Sequence, residues 1–225
     1  MLEPEAIQAA LLAAAGEVQA VMNHLGLAAR SSLAPRLLFD TDLRYALRRS
    51  LQIGRSEVVW TEASLGETGI LSSPTDVVVG ARAKAPQLAV ELQLHPRGED
   101  HISFANAAVG DAVKMAVAKT AGAAERAAVL IGGPARFWRW LPGYVEERSG
   151  YGLLTPDADT PATVRSDFLS AAEWDFLFDS GMDSNLPDRL WASLLCSAQA
   201  KSPWNETELR LIEVKGLGAV REVRA

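Results

Sequence analysis

The chain carries a single cysteine, Cys196, in 225 residues, so it cannot cross-link within itself and gains nothing from an oxidising compartment. It also opens without a basic leader followed by an apolar core, and together these absences read as a protein of the reducing cytoplasm. No apolar run approaches the roughly 20 residues of a membrane-spanning helix. The Ala-rich stretch from residue 9 to Ala15 is broken at Gly16 and Glu17, and the expectation is a soluble protein with no membrane partner. His24, His95 and His101 share no ligand spacing with Cys196, which argues against a zinc site. His95 shares the strand face of Glu91, which would suit a catalytic role, but it reads first as an ordinary surface histidine. A positive balance is lacking too: 22 Lys and Arg stand against 28 Asp and Glu, a net charge of −6. Any polyanion must therefore be held by a local patch and not by the field of the whole molecule.

Such patches exist. Arg30, Arg36, Arg44, Arg48, Arg49 and Arg55 outnumber Asp40, Asp42 and Glu57 between residues 30 and 57, and Arg136, Arg139 and Arg148 flank Trp138 and Trp140. A solvated helix face and a snorkelling cluster account for them equally well. The tryptophans at 138, 140, 174, 191 and 204 read as packing residues before base-stacking platforms. Ile131-Gly-Gly-Pro134 reads as a strand-end turn, since it lacks the Lys-Ser/Thr of a phosphate loop.

What is present is enough apolar residue, 48% of the chain, to bury one substantial core. Pro4 to Leu27 repeats apolar residues at helical spacing, and a second helical pattern places Leu43, Ala46, Leu47 and Leu51 on one face before Gly54. The period then changes. Val58 to Thr61, Thr75 to Gly80 and Leu88 to His95 read as three strands, the last two as a hairpin; Ala105 to Ala124 reads as a helix and Arg126 to Gly132 as a strand. Beyond Pro134 the pattern is less regular. A short hairpin over Gly150–Pro156 and Ala162–Ser166, helices over Phe168–Phe178 and Asp188–Ala200, and a closing hairpin of Glu208–Val214 with Ala219–Val223 are expected. The fold class is α/β, with residues 1–29 as an N-terminal helix, 30–140 as the α/β core, and 141–225 as an α+β extension packed on the same domain.

Chemistry concentrates on the strand Leu88-Ala-Val-Glu-Leu-Gln-Leu-His95. Alternation sends Leu88, Val90, Leu92 and Leu94 to one face and Ala89, Glu91, Gln93 and His95 to the other. A carboxylate on a strand that otherwise reads as buried is costly unless paired or metal-bound. Asp76 begins the partner strand after Pro74, and it joins Glu91 only in a register that faces it to residue 91 or 93. Two carboxylates at one sheet edge suit a hard cation such as Mg²⁺ or Mn²⁺, which takes one or two carboxylates plus waters and substrate phosphate.

Pro74-Thr75-Asp76 followed by Glu91-Leu92-Gln93, on this order of helices and strands, resembles the PD-(D/E)xK nuclease superfamily, the restriction-endonuclease-like fold. The resemblance covers about Phe39 to Gly133 and implies a core of helix, three-strand meander, helix and strand. It implies Asp76 and Glu91 as metal-binding carboxylates, with Glu62 or Asp42 as an additional acid and Lys114 or Asp111 as a polar group reaching in from the following helix. Gln93 departs from the pattern, standing where most members carry lysine; some members are similar in having glutamine there. Glutamine orients a water by hydrogen bonds but brings no charge. The implied activity is metal-dependent phosphodiester hydrolysis, on DNA before RNA, in defence, restriction or repair. Arg44, Arg48, Arg82, Lys84 and Lys114 would position the backbone, and a homodimer is possible, since the N-terminal helix could dock a second subunit as readily as its own core. A nuclease-fold scaffold without catalysis, serving as a binding or assembly module, is the alternative, for which Gln93 and the acidic charge both speak. Glu213-Val214-Lys215 is a competing motif, although no strand with a well-placed Asp precedes it.

Overall fold

The computed structural model describes residues 2–28, 40–53, 57–65, 74–80, 86–95, 100–157, 159–166, 185–202 and 205–222. Among them are four α-helices, α1 (Pro4–Ala28), α2 (Asp40–Gln52), α3 (His101–Thr120) and α4 (Ala135–Glu147), and seven strands. The strands are β1 (Val59–Ala63), β2 (Thr75–Val79), β3 (Leu88–Leu94), β4 (Ala127–Pro134), β5 (Ala162–Arg165), β6 (Asn185–Ser202) and β7 (Asn205–Glu222). They form one sheet in the order β1-β2-β3-β4-β7-β6-β5, antiparallel throughout except where β4 lies parallel to β3. No described helix is long and apolar enough to cross a membrane.

The single parallel pair dictates the layering. Parallel neighbours need a crossover, and α3 supplies it across one face of the sheet. Ala105, Ala108, Ala112 and Ala116 are all buried there, so small side chains let the helix lie close to the strands. With α4 they enclose one core containing Ala89, Val129, Ile131 and Ile212; α1 and α2 enclose the other with Val77, Val90, Leu92, Leu130 and Leu211. Covered on both faces, β3 and β4 read as nearly unbroken apolar runs. Helix α1 seats Ile7, Leu11, Ala14 and Val18 in the second core, so it docks on its own sheet. At the open edge, α2 closes off β1: Gln52 accepts from Val59 N at 3.0 Å and donates to Glu57 O at 3.0 Å, and Arg48 Nε reaches Val59 O at 3.4 Å.

The first seven expected elements are found near their expected limits, and the C-terminal part corrects the sequence reading. Asp188–Ala200 is not helical; it lies inside β6, which pairs with β7 along most of its length. A bulge between Leu194 and Cys196 is the cause of the misreading. Before it, Leu190 and Ala192 face the α3 core; after it, Cys196, Ala198 and Ala200 face the α1 core. The extra residue breaks the two-residue period and leaves a pattern that mimics a helix. Nor do Glu208–Val214 and Ala219–Val223 form a hairpin, since 208–214 and 219–222 both belong to β7. Gly216 marks a close approach and not a turn, because a Cβ there would collide with the Thr120 side chain and the Pro187 ring. Gly150–Pro156 is no strand: Ser149–Leu154 is a short 3-10 helix, and β5 pairs with β6 instead. The expected helix at Phe168–Phe178 lies outside the described residues. Helix α4 was masked in the sequence by its internal Pro142 and the following Gly143.

Leu130, fully buried at the centre of β4, tests this layering. Leu130→Ala is expected to cost about 2–5 kcal/mol in chemical denaturation, as a cavity between the sheet and the α1–α2 layer would.

Candidate functional site

Three acidic residues fall in one row across the meander. Thr61 faces Val77 and Ala63 faces Thr75, which puts Glu62 opposite Asp76. The β2–β3 ladder ends with Val77 facing Val90, and continuing that alternation sends Asp76 and Glu91 to the same side. This is the register that brings Asp76 and Glu91 to one side of the hairpin. Their proximity also shows in the electrostatics, since Asp76 is among the groups that raise the Glu91 pKa. Asp76 Oδ2 also accepts the Leu92 amide at 2.8 Å, which ties its carboxyl across to β3.

Each acid has an internal cation. From α2, Arg44 Nη1 lies 2.6 Å from Glu62 Oε1 while Nη2 contacts Asp76 Oδ1. From α3, Lys114 Nζ contacts Glu91 Oε1 and lies 3.5 Å from the Pro74 carbonyl. Three residues earlier on that helix, Asp111 Oδ2 accepts from Gln93 Nε2 at 2.7 Å. Residues 111 and 114 are neighbours on a helix surface, and residues 91 and 93 share a strand face, so two rungs join α3 to β3 side by side.

Glu91 is buried at 5% exposure, and its proton affinity shows it. Burial pushes its pKa up to about 8; Lys114 pulls against that by charge and hydrogen bond, while the Asp111 charge and the Asp76 hydrogen bond push the same way as burial. Glu62 is distinctive in another way. Among the described residues it is the non-glycine residue with positive φ, at +52°, a left-handed backbone that breaks regular strand geometry.

Lys114, expected as a polar group reaching in from the helix and as a backbone-positioning residue, is buried against Glu91. Arg44 faces the carboxylates, Arg48 is exposed beside β1, and Arg82 and Lys84 lie outside the described residues. Asp42 sits half-buried on α2, whereas Glu62 is the acid that shares Arg44 with Asp76. In the competing motif, Glu213 pairs with Arg126 at 3.3 Å and Lys215 stacks 4.2 Å over Trp191. His95 is not a surface residue; it is buried, its Nε2 is 2.7 Å from His101 Nδ1, and its ring lies 4.5 Å from Phe104. Burial, then the charges of His95 and Arg136, lower the His101 pKa. Trp138 packs in the core, its indole N–H shared between the Gly133 and Glu208 carbonyls.

The inward reach of Arg44 was not foreseen, and nothing in an exposed-looking basic helix signals it. The Lys114 pair had a signal: a charge inside the apolar run of α3 must find an opposite charge when that run is buried. Among the described residues no three His, Cys, Asp or Glu side chains converge as a complete cage. Two adjacent carboxylates nonetheless meet what Mg²⁺ asks of a protein, the remaining positions being filled by water and phosphate. Comparison of the chain with family models, with curated proteins and with solved structures gave no match.

The Glu91 environment sets a pH dependence. Folded Glu91 holds its proton more tightly than the ordinary carboxyl at 4.5, so its contribution to stability is complete below that pH and is lost as pH rises through about 8. Glu91→Gln, neutral throughout, is expected to gain stability relative to the native chain across that window in denaturant titrations. A difference that shrinks with rising pH would contradict the assignment.

Proposed function

We propose that this protein is a metal-dependent phosphodiester hydrolase acting on DNA, built on a restriction-endonuclease-like core. The observation that carries the reading is the row Glu62–Asp76–Glu91 across β1, β2 and β3, with Lys114 buried against its inner end. The order α2-β1-β2-β3-α3-β4, with β4 parallel to β3, supports it as the frame such a site needs.

Asp76 and Glu91 would hold the cation, which when bound supplies Lewis-acid polarisation of a phosphate and an acidified water. The chain's own residues do the rest. Gln93 donates its amide N–H to Asp111 and shares a strand face with Glu91, so its amide oxygen is left to orient a water. Lys114 brings from α3 the positive charge that Gln93 does not bring from β3, placed to offset charge developing on the phosphate. Lys114 is enclosed and cannot swing to solvent, so its charge is preorganised. Exposed Arg48 on α2 and Arg136, Arg139 and Arg148 on and after α4 offer local positive charge to the backbone despite the acidic total. The setting that fits is the cytoplasm.

A second reading, a scaffold of this fold that binds without cutting, draws on one observation: every acid of the row already has an internal counter-ion.

Plasmid nicking in millimolar Mg²⁺ or Mn²⁺ decides between them. Cleavage is expected with either metal. Asp76→Ala and Glu91→Ala should abolish it, and Lys114→Ala should slow it by about 10²–10³-fold, the usual effect of losing one transition-state partner. No cleavage of plasmid or RNA in either metal, with Mn²⁺ binding unchanged by Asp76→Ala, would reject the hydrolase.

A further inference from the structure

Arg44 and Lys114 neutralise the same row in unlike ways. The Lys114–Glu91 pair is enclosed, with side chains 10% and 6% exposed. The Arg44–Glu62 contact opens to solvent, Glu62 being 68% exposed, whereas the Arg44–Asp76 contact has its side chains 17% and 14% exposed. An ion pair with one partner in water is weak and screened, so the two ends of the row differ in how readily they open.

The geometry of the guanidinium points the same way. Its two terminal nitrogens are split between carboxylates on neighbouring strands, so neither acid receives the paired N–H donors that make arginine–oxyanion contacts strong. Its Nε–H is buried with no hydrogen-bond partner among the described residues. A guanidinium normally offers Nε and one Nη together as a fork, and a phosphate matches that fork. Glu62, in turn, is held in a left-handed backbone that a residue with a β-carbon adopts only when its surroundings impose it. One donor is left unused, and one acid is held by an unfavourable backbone. This is a holding arrangement, not an optimised structural ion pair.

We propose that Arg44 is an exchangeable counter-ion, which neutralises Glu62 and Asp76 while they hold no metal and passes to a nucleic-acid phosphate when a divalent cation occupies the carboxylates. The proposal rests on the hydrolase reading and adds to it a competition: Arg44 opposes metal binding and favours phosphate binding. A purely structural arginine would do neither. Charge stays balanced through the exchange, since the cation replaces the guanidinium at the acids and the guanidinium meets the anion that the cation recruits.

Two measurements on the full chain test it: Mn²⁺ binding by electron paramagnetic resonance, and binding of a fluorescent DNA duplex in Ca²⁺. Arg44→Gln is expected to tighten Mn²⁺ binding and weaken DNA binding, each by about tenfold, the worth of one charged hydrogen-bonded contact. Should that variant fail to fold, Arg44→Lys keeps one positive charge but cannot bridge two acids, and it is expected to shift both affinities in the same directions. Mn²⁺ affinity that is unchanged or weaker in a folded Arg44 variant overturns the exchange while leaving the hydrolase standing, provided the native chain binds Mn²⁺. A native chain that binds no Mn²⁺ overturns both.

Discussion

A carboxyl group buried in the middle of a sheet organises this molecule. Glu91 sits on β3, a strand covered on both faces, and its burial is tolerable because Lys114 meets it from α3. That contact does more than neutralise. With the Gln93–Asp111 hydrogen bond beside it, it fixes where α3 lies along β3, and the crossover that α3 completes sets β4 parallel to β3. The apolar packing of α3 sets alanines at 105, 108, 112 and 116 among Phe104, Val109, Val113 and Met115. Two polar rungs add discrimination between registers, because a shift of one helical turn would leave a buried carboxyl without its cation.

The same pairing shapes the chemistry. A carboxyl whose proton affinity is raised by burial is poised between a neutral, hydrogen-bonded form and an ionised form that a cation stabilises. The row of acids is graded across the meander, from exposed Glu62 through Asp76 to enclosed Glu91. Its outer end is held by an arginine near solvent and its inner end by a lysine inside the core.

Much of this was legible in the residues themselves. The alternation of Leu88 to His95 separates apolar from polar faces, and the break of period after Gly54 marks the change from helix to strand. Asp76 and Glu91 stood out as charges on strands that read as buried, and the register Val77 to Val90 unites them as the hairpin required. What stayed hidden was hidden for physical reasons. Arg44 looks like a solvated helix residue because direction across a helix–sheet interface is not encoded in one-dimensional spacing. The β6–β7 ribbon was misread because the bulge at Leu194 and Cys196 exchanges the two faces partway along, and because Gly216, required for close contact with Pro187, resembles a turn glycine. His95, at the end of its strand, looked like a surface histidine because the aromatic residues that bury it, Phe104 and Phe137, come from two later helices.

The way α2 finishes the outer strand carries its own consequence. A sheet ends where main-chain groups are left without partners, and those groups would accept any other extended chain that drifted near. Here Gln52 and Arg48 take up the outward-pointing amide and carbonyl of Val59, as a further strand would have done. The helix that carries Arg44 to the acids therefore also caps one rung of the outer strand, and a foreign strand would have to displace Gln52 and Arg48 to pair at Val59.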